Sequence, residues 1–180
     1  SDTISPGDIA DLSQSSELAF RVEFEGELPE PRDLYWRALV FDRFDGRTWY
    51  STNDAVFSPF DARQIESSGD ALHYQVYLEP TGQNWLPTIA WSTISGIKTK
   101  KSSHLVNYSI ETIDKAIRFS VQSYTNYVYQ PEPLGQMELG RFLKLPPSGN
   151  TRAQEMAKAL SSRARGDSEL MAALINRHFF

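Results

Sequence analysis

Two acids, Asp42 and Asp45, one arginine, Arg37, and the aromatic residues Tyr35, Trp36, Trp49, Trp85 and Trp91 are the side chains best suited to chemistry. Neighbouring carboxylates could act as acid and base on a glycosidic bond. Short acids beside a turn more commonly bond the backbone or face water. Aromatic faces could stack on a sugar ring, although their alternation along strands is also what a packed sheet interior requires. The binding candidates are therefore Tyr35, Trp36, Arg37, Asp45, Arg47, Trp49 and Trp85. Arg37 shares a strand face with Tyr35, Leu39 and Phe41, where an unpaired guanidinium is costly. A tie from Arg37 to Asp42, Asp45 or Glu79 is expected.

Other chemistry finds little support. The 180 residues contain no cysteine, which removes thiolate nucleophiles, disulfides and sulfur-ligated metal sites. The histidines His73, His104 and His178 fall on separate elements without ligand spacing, so no metal site is expected. No Gly-x-Ser-x-Gly elbow and no Gly-x-Gly pair occurs, so neither a serine hydrolase elbow nor a phosphate or dinucleotide loop is legible. Asn107-Tyr108-Ser109 matches a glycosylation triplet that matters only in a eukaryotic secretory route. No catalytic residue and no cofactor is assigned. A net charge of −5 argues against nucleic acid, and the cluster Lys98, Lys100, Lys101 reads as a solvated loop.

The elements that must position these residues are mostly strands. Leu18, Phe20, Val22 and Phe24 alternate with polar neighbours, as do Leu72, Tyr74, Val76 and Leu78, so each segment predicts a strand with one buried face. Leu34 to Phe41 reads as a central strand. Asp45-Gly46 is a hairpin turn leading to a strand through Thr48 and Trp49, because Gly46 takes positive φ easily. The polar stretch from Ser51 to Gly69 reads as a long surface loop. Trp85 to Trp91, broken by Pro87, predicts an edge or irregular strand. Leu105 to Ile110 and Ala116 to Gln122 form two strands around Asp114-Lys115, and Tyr124 to Tyr129 continues the second or adds another.

Helical signals stand at the two ends. Ser5-Pro6-Gly7-Asp8 predicts a single helical turn. After Leu145-Pro146-Pro147, Asn150 or Thr151 caps a helix bearing Ala153, Met156, Ala157 and Leu160 on one side. Gly166 ends that helix, and Asp167 caps another bearing Leu170, Met171, Leu174 and Ile175. The expected fold is mainly β, an antiparallel sandwich or barrel-like domain over residues 1–145, followed by a helical segment over 146–180. A start at Ser1 and an end at Phe179-Phe180 lead to the expectation of an excised part of a longer protein.

Several stretches carry a family resemblance in chain order. They are Ser5-Pro6-Gly7, Leu12-Ser13-Gln14-Ser15, Ala19-Phe20-Arg21-Val22, Leu34-Tyr35-Trp36-Arg37 and Phe44-Asp45-Gly46-Arg47-Thr48-Trp49. Further on stand Tyr74-Gln75-Val76, the run from Leu78 to Leu86, Leu145-Pro146-Pro147 and Asn150-Thr151-Arg152. Together they resemble the extracytoplasmic region of bacterial membrane-anchored transglutaminase-like proteins, a family also described as transglutaminase-like cysteine peptidases.

The resemblance implies a periplasmic location, membrane helices before this region and a Cys-His-Asp core after it. None of the triad positions falls in this chain. The expected role is a non-catalytic scaffold or spacer that positions the core, whose partners are that core, the membrane helices and a cell-envelope protein or polymer. The rival roles are a module binding peptidoglycan or another envelope glycan, and an autonomous glycosidase using the acids near Asp45.

Overall fold

The computed structural model describes residues 3–8, 17–51, 60–129, 135–146 and 148–179. Its early strands are β1 (Thr3–Ile4), β2 (Phe20–Phe24), β3 (Trp36–Arg37), β4 (Arg43–Phe44), β5 (Trp49–Tyr50), β6 (Ile65–Ser68) and β7 (Leu72–Leu78). Then come β8 (Trp85–Leu86), β9 (Thr88–Ile89), β10 (Trp91–Ser95), β11 (Thr99–Lys101), β12 (Asn107–Ser109), β13 (Ile117–Tyr124) and β14 (Asn126–Tyr129). Helices α1 (Gln136–Phe142), α2 (Thr151–Ala164) and α3 (Ser168–Phe179) follow. The fold is thus mostly antiparallel β-sheet with helices at the C-terminal end.

The longest strands build a four-stranded antiparallel sheet in the order β10-β13-β7-β2. Their register sets Val22, Val76 and Phe119 side by side, and Phe24, Tyr74 and Val121 in the next row. Side chains alternate across a strand, so this register gathers the apolar set on one face. Val76 is 0% exposed and Phe119 2%. Leu86, Ile89 and Ile113 join the same buried cluster, with Leu34 and Trp36 packed against it. Tyr74 and Asn107 carry paired polar groups inside, as burial demands. The Tyr74 hydroxyl shares a hydrogen bond with Ser123 Oγ and accepts from Ile89 N, each at 2.9 Å. Asn107 Nδ2 donates to Thr88 Oγ1 and Ser92 Oγ, both at 2.9 Å.

Several expectations need correction. The strand from Leu34 to Phe41 is the two-residue β3, paired only with β9 among the described residues. The loop from Ser51 to Gly69 contains β6, which pairs with β14; residues 52–59 lie outside the described residues. The two strands expected around Asp114-Lys115 are present as β12 and β13 and lie in different sheets: β12 joins β8 and β11, while β13 joins β7 and β10. Pro87, which has no N–H for a ladder, separates β8 and β9 into different sheets.

At the N-terminal end, Ser5 opens a tight turn: Asp8 N donates to Ser5 O, and Ser5 N donates to Asp8 Oδ2 at 2.7 Å. Residues 9–16 lie outside the described residues. At the other end α1 had no counterpart in the sequence reading. Asn150 precedes α2 in the left-handed region, φ +54°, without a side-chain cap bond. Asp167 does cap α3, its Oδ1 accepting from Leu170 N at 2.9 Å. Helices α2 and α3 pack on each other. Leu160 is buried, whereas Ala153 and Ala157 are exposed, and on α3 Leu170, Ile175 and Phe179 are exposed.

Candidate functional site

The residues singled out in the sequence do not form one surface. They divide among a hairpin, a cleft and a separate strand pair.

The hairpin is β4–β5, with Arg43 opposite Tyr50 and Phe44 opposite Trp49. Asp45 organises its turn. Oδ1 accepts from Thr48 N at 2.8 Å and Arg47 N at 2.9 Å, and Oδ2 accepts from the Tyr50 hydroxyl at 2.7 Å. Hydrogen bonds to the ionised form favour it. The Thr48 amide, then the Tyr50 hydroxyl and the Arg47 amide, hold the Asp45 carboxyl at about 2. The Tyr50 phenol is correspondingly pushed up by its bond to Asp45. A general acid needs the opposite shift, so Asp45 is suited to holding its turn and not to donating a proton. Trp49 stacks on Phe44 with ring centres 4.7 Å apart and keeps 45% of its surface exposed.

Two distant segments fasten to this hairpin. Strand β1 pairs with β5, and Ser5 Oγ shares a 2.8 Å hydrogen bond with Thr48 Oγ1. Gly46, at φ +110°, lies against Pro146: a methyl group placed on Gly46 would sit 3.2 Å from Pro146 Cβ. The segment at Thr3–Ser5 and the stretch between α1 and α2 thus meet at one turn.

The cleft lies beside β3 and measures about 430 Å³. It gathers Tyr35, Trp36, Arg37, Leu39 and Val40 from one segment, Ser103, His104 and Leu105 from the β11–β12 turn, and Tyr127 and Tyr129 from β14. Arg37 Nη1 donates to His104 O at 2.9 Å. Its partner is therefore a carbonyl rather than Asp42, Asp45 or Glu79, because β3 runs past the β11–β12 turn. Among the described residues Arg37 has no ion pair. The Tyr129 hydroxyl donates to Ser103 O at 2.9 Å, so two consecutive carbonyls of the turn are held from the cleft side. Within that turn Leu105 is buried yet left-handed, φ +61°. That backbone region costs a residue bearing Cβ roughly 1–2 kcal/mol, and such strain persists only where surrounding contacts enforce it.

Trp36 is mainly a core residue, edge-on to Phe20 at 5.1 Å and to Tyr74 at 5.7 Å. Tyr35 next to it is 71% exposed. Trp85 stands apart on β8 opposite Tyr108, its buried indole N–H without a partner among the described residues. Trp91 packs against Phe60 at 5.3 Å. Arg47 contributes its backbone to the turn and joins no cleft residue in the sequence-nominated set.

Lys101 corrects the solvated-loop reading of the lysine cluster. Lys98 and Lys100 are exposed, but Lys101 on β11 turns inward. Its ammonium lies 4.5 Å from the Trp91 ring centre and 6.0 Å from that of Phe60, and it donates to Ser92 O at 2.5 Å. Ring faces attract a cation, yet burial disfavours the charge more strongly and holds the amine at about 7. The sequence missed Lys101, Tyr127, Tyr129 and the turn at Ser103–Leu105. No local motif marks them, since strand pairing alone brings them in. Among the described residues no three His, Asp or Glu side chains gather as a metal site.

A mostly antiparallel β module followed by a C-terminal helical pair is the class of architecture this geometry defines. The chain belongs to the TgpA N-terminal domain family, which it matches over residues 1–130. It is 35% identical over 182 aligned residues to a protein-glutamine gamma-glutamyltransferase of Pseudomonas aeruginosa, a match covering 98% of this chain and 26% of that protein.

Among solved structures, the periplasmic domain of TgpA from Pseudomonas aeruginosa superposes with a TM-score of 0.84 at 34% identity. That match covers 98% of this chain and 60% of the solved one. The ethylmercury-bound form of the same domain gives 0.82 at 33% identity, covering 98% and 62%. The chain is thus homologous to a periplasmic domain, and it spans about a quarter of its curated relative. No helix among the described residues is long and apolar enough to cross a membrane.

Proposed function

We propose that this chain is a non-catalytic periplasmic module of a membrane-anchored transglutaminase-like protein, and that it positions the catalytic core. The observation that carries the reading is the junction at the β4–β5 hairpin. There the segment at Thr3–Ser5 and the linker at Pro146 are tied to one turn through Thr48, β5 and Gly46. A module that grips both of its connections at one point transmits position between them. The homologous protein's name supplies the activity of the whole, and a chain without cysteine cannot furnish the thiolate of a Cys-His-Asp triad. The partners under this reading are the core and the membrane helices of the same protein.

Amine incorporation into a glutaminyl peptide tests it. The isolated chain is expected to show none, while the full-length protein lacking residues 1–145 is expected to retain a folded core with reduced transfer. Saturable turnover by the isolated chain would overturn the non-catalytic assignment. Unchanged kcat and KM after the deletion would remove the positioning role. A second reading, a ligand-binding module, is favoured by the cleft around Arg37.

A further inference from the structure

We propose that the cleft beside β3 binds a peptide segment carrying a carboxylate next to an apolar side chain. The inference stands apart from the positioning role and rests on the composition of the cleft. Among the described residues Arg37 is the one Lys, Arg, Asp or Glu side chain in the lining, in a chain whose net charge is −5. A guanidinium carries five N–H donors in a planar fork. One nitrogen of Arg37 is committed to His104 O, and among the described residues no carboxylate answers its charge. Arg–carboxylate pairs are the strong, directional form of hydrogen bond, which makes a carboxylate the matching ligand group.

The walls select the rest of the ligand. Leu39, Val40 and Leu105 supply aliphatic surface, while Tyr35 and Tyr127 supply aromatic edges. The volume of about 430 Å³ falls in the range of small-ligand pockets and holds an acidic side chain with one apolar neighbour. Among the described residues the lining sets one guanidinium beside the aliphatic side chains of Leu39, Val40 and Leu105, a pairing that suits the acidic and apolar side chains of a peptide better than a ring covered in hydroxyls. The cleft is also built before any ligand arrives. Arg37 and Tyr129 grip the carbonyls of His104 and Ser103 in a turn that keeps Leu105 at φ +61°. Such preorganisation spares the ligand the entropy of ordering its site.

The test is an amide and side-chain NMR titration of the 180-residue chain with three probes. They are the blocked tripeptide acetyl-Leu-Glu-Leu-amide, its glutamine counterpart, and N-acetylmuramic acid as a carboxylate borne on a sugar. The glutamate peptide is expected to shift the Arg37 Nε–H and Trp36 indole signals saturably, and to bind about tenfold or more tighter than the glutamine peptide. Arg37→Lys, which keeps the charge but loses the fork, is expected to lose most of that preference. Tyr35→Ala, at an exposed site, is expected to weaken binding severalfold without moving Tm. Equal binding of the two peptides, shifts confined to other surfaces, or binding of the sugar acid alone would overturn the proposal. So would indifference to both substitutions. The deletion experiment for the positioning role is unaffected by any of these results.

Discussion

The four-stranded sheet and the β4–β5 hairpin are both antiparallel, yet they are held by opposite means. In the sheet, strands of five to eight residues bury Tyr74, Val76, Phe119 and Val121 almost completely. Their stability comes from area removed from water and from a register that lets each apolar side chain meet another. In the hairpin, strands of two residues leave Trp49 nearly half exposed. Its shape is set by Asp45 gathering the amides of Arg47 and Thr48, and by Gly46 accepting a positive φ against Pro146. A region held by burial tolerates changes in pH and in surface residues. A region held by one carboxylate and one glycine does not. Under the proposed positioning role, orientation would rest on the less robust region and integrity on the more robust one.

Substitutions that strike each region differently put this contrast at risk. The largest effect is expected in the sheet, where Phe119→Ala opens a cavity beside Val76 and should cost about 3–5 kcal/mol, read from the urea midpoint. A loss under 1 kcal/mol by that measure, on the order of a surface change, would erase the distinction.

Lys101 comes next, because it brings a charge, half-buried, against the Trp91 ring at the edge of the sheet. Its amine is held at about 7 in the folded state, against about 10.4 when unfolded. Between those values the unfolded chain binds more protons, so this residue's contribution to stability rises as pH climbs from 7 towards 10.5. Lys101→Met should therefore be the more stable protein at pH 7, and the advantage should shrink by pH 10. A difference between the two proteins that stayed constant with pH would show that the Trp91 and Phe60 rings compensate the burial fully.

Gly46→Ala should cost about 1–2 kcal/mol from the left-handed backbone alone, with more from the contact with Pro146. Hydrogen exchange sharpens the reading: amides of the hairpin and of residues 143–145 should exchange faster while those of β7 and β13 stay protected. Uniform loss of protection would mean that the hairpin and sheet unfold as one unit.

The smallest effect belongs to Asp45. Its carboxyl sits at about 2 when folded, so what it contributes is present above about pH 4 and is lost as pH falls towards 2. The Tyr50 and Thr48 signals of the wild type should shift through that window, and those of Asp45→Asn should not. Matching titrations in the two proteins would remove Asp45 as the organiser of the turn.

Much of the sheet was legible because its signal is local. The alternation in Leu72–Leu78 and in Phe20–Phe24 survives in the structure as β7 and β2, each with its apolar face buried. The Asp45-Gly46 turn and the Asp167 cap were legible for a similar reason, since a side chain bonding an amide two or three residues on needs no distant partner. The polar run Ile65–Ser68 carries no strand signal of its own and becomes β6 only because β14 lies beside it. The stretch from Leu34 to Phe41, apolar except for Arg37, suggested a long central strand, but all except Trp36 and Arg37 lack a ladder partner among the described residues. For the candidate site, Tyr35, Trp36 and Arg37 were named in advance and do meet in one cleft. Asp45, Arg47 and Trp49 went elsewhere because a hairpin turns them away, and Trp85 left with β8.

The amino-acid sequence by itself determined the β character, the lack of a thiolate, the helical tail and the turn at Asp45-Gly46. Each of these follows from residue type or from spacing within one segment. Only the tertiary structure decided which strands are neighbours, that Arg37 meets a carbonyl of the β11–β12 turn, that Lys101 turns inward against the Trp91 and Phe60 rings, and that Pro146 rests on Gly46. Those facts depend on contacts between residues far apart in the chain, where the free energy of packing and not local preference selects the partner.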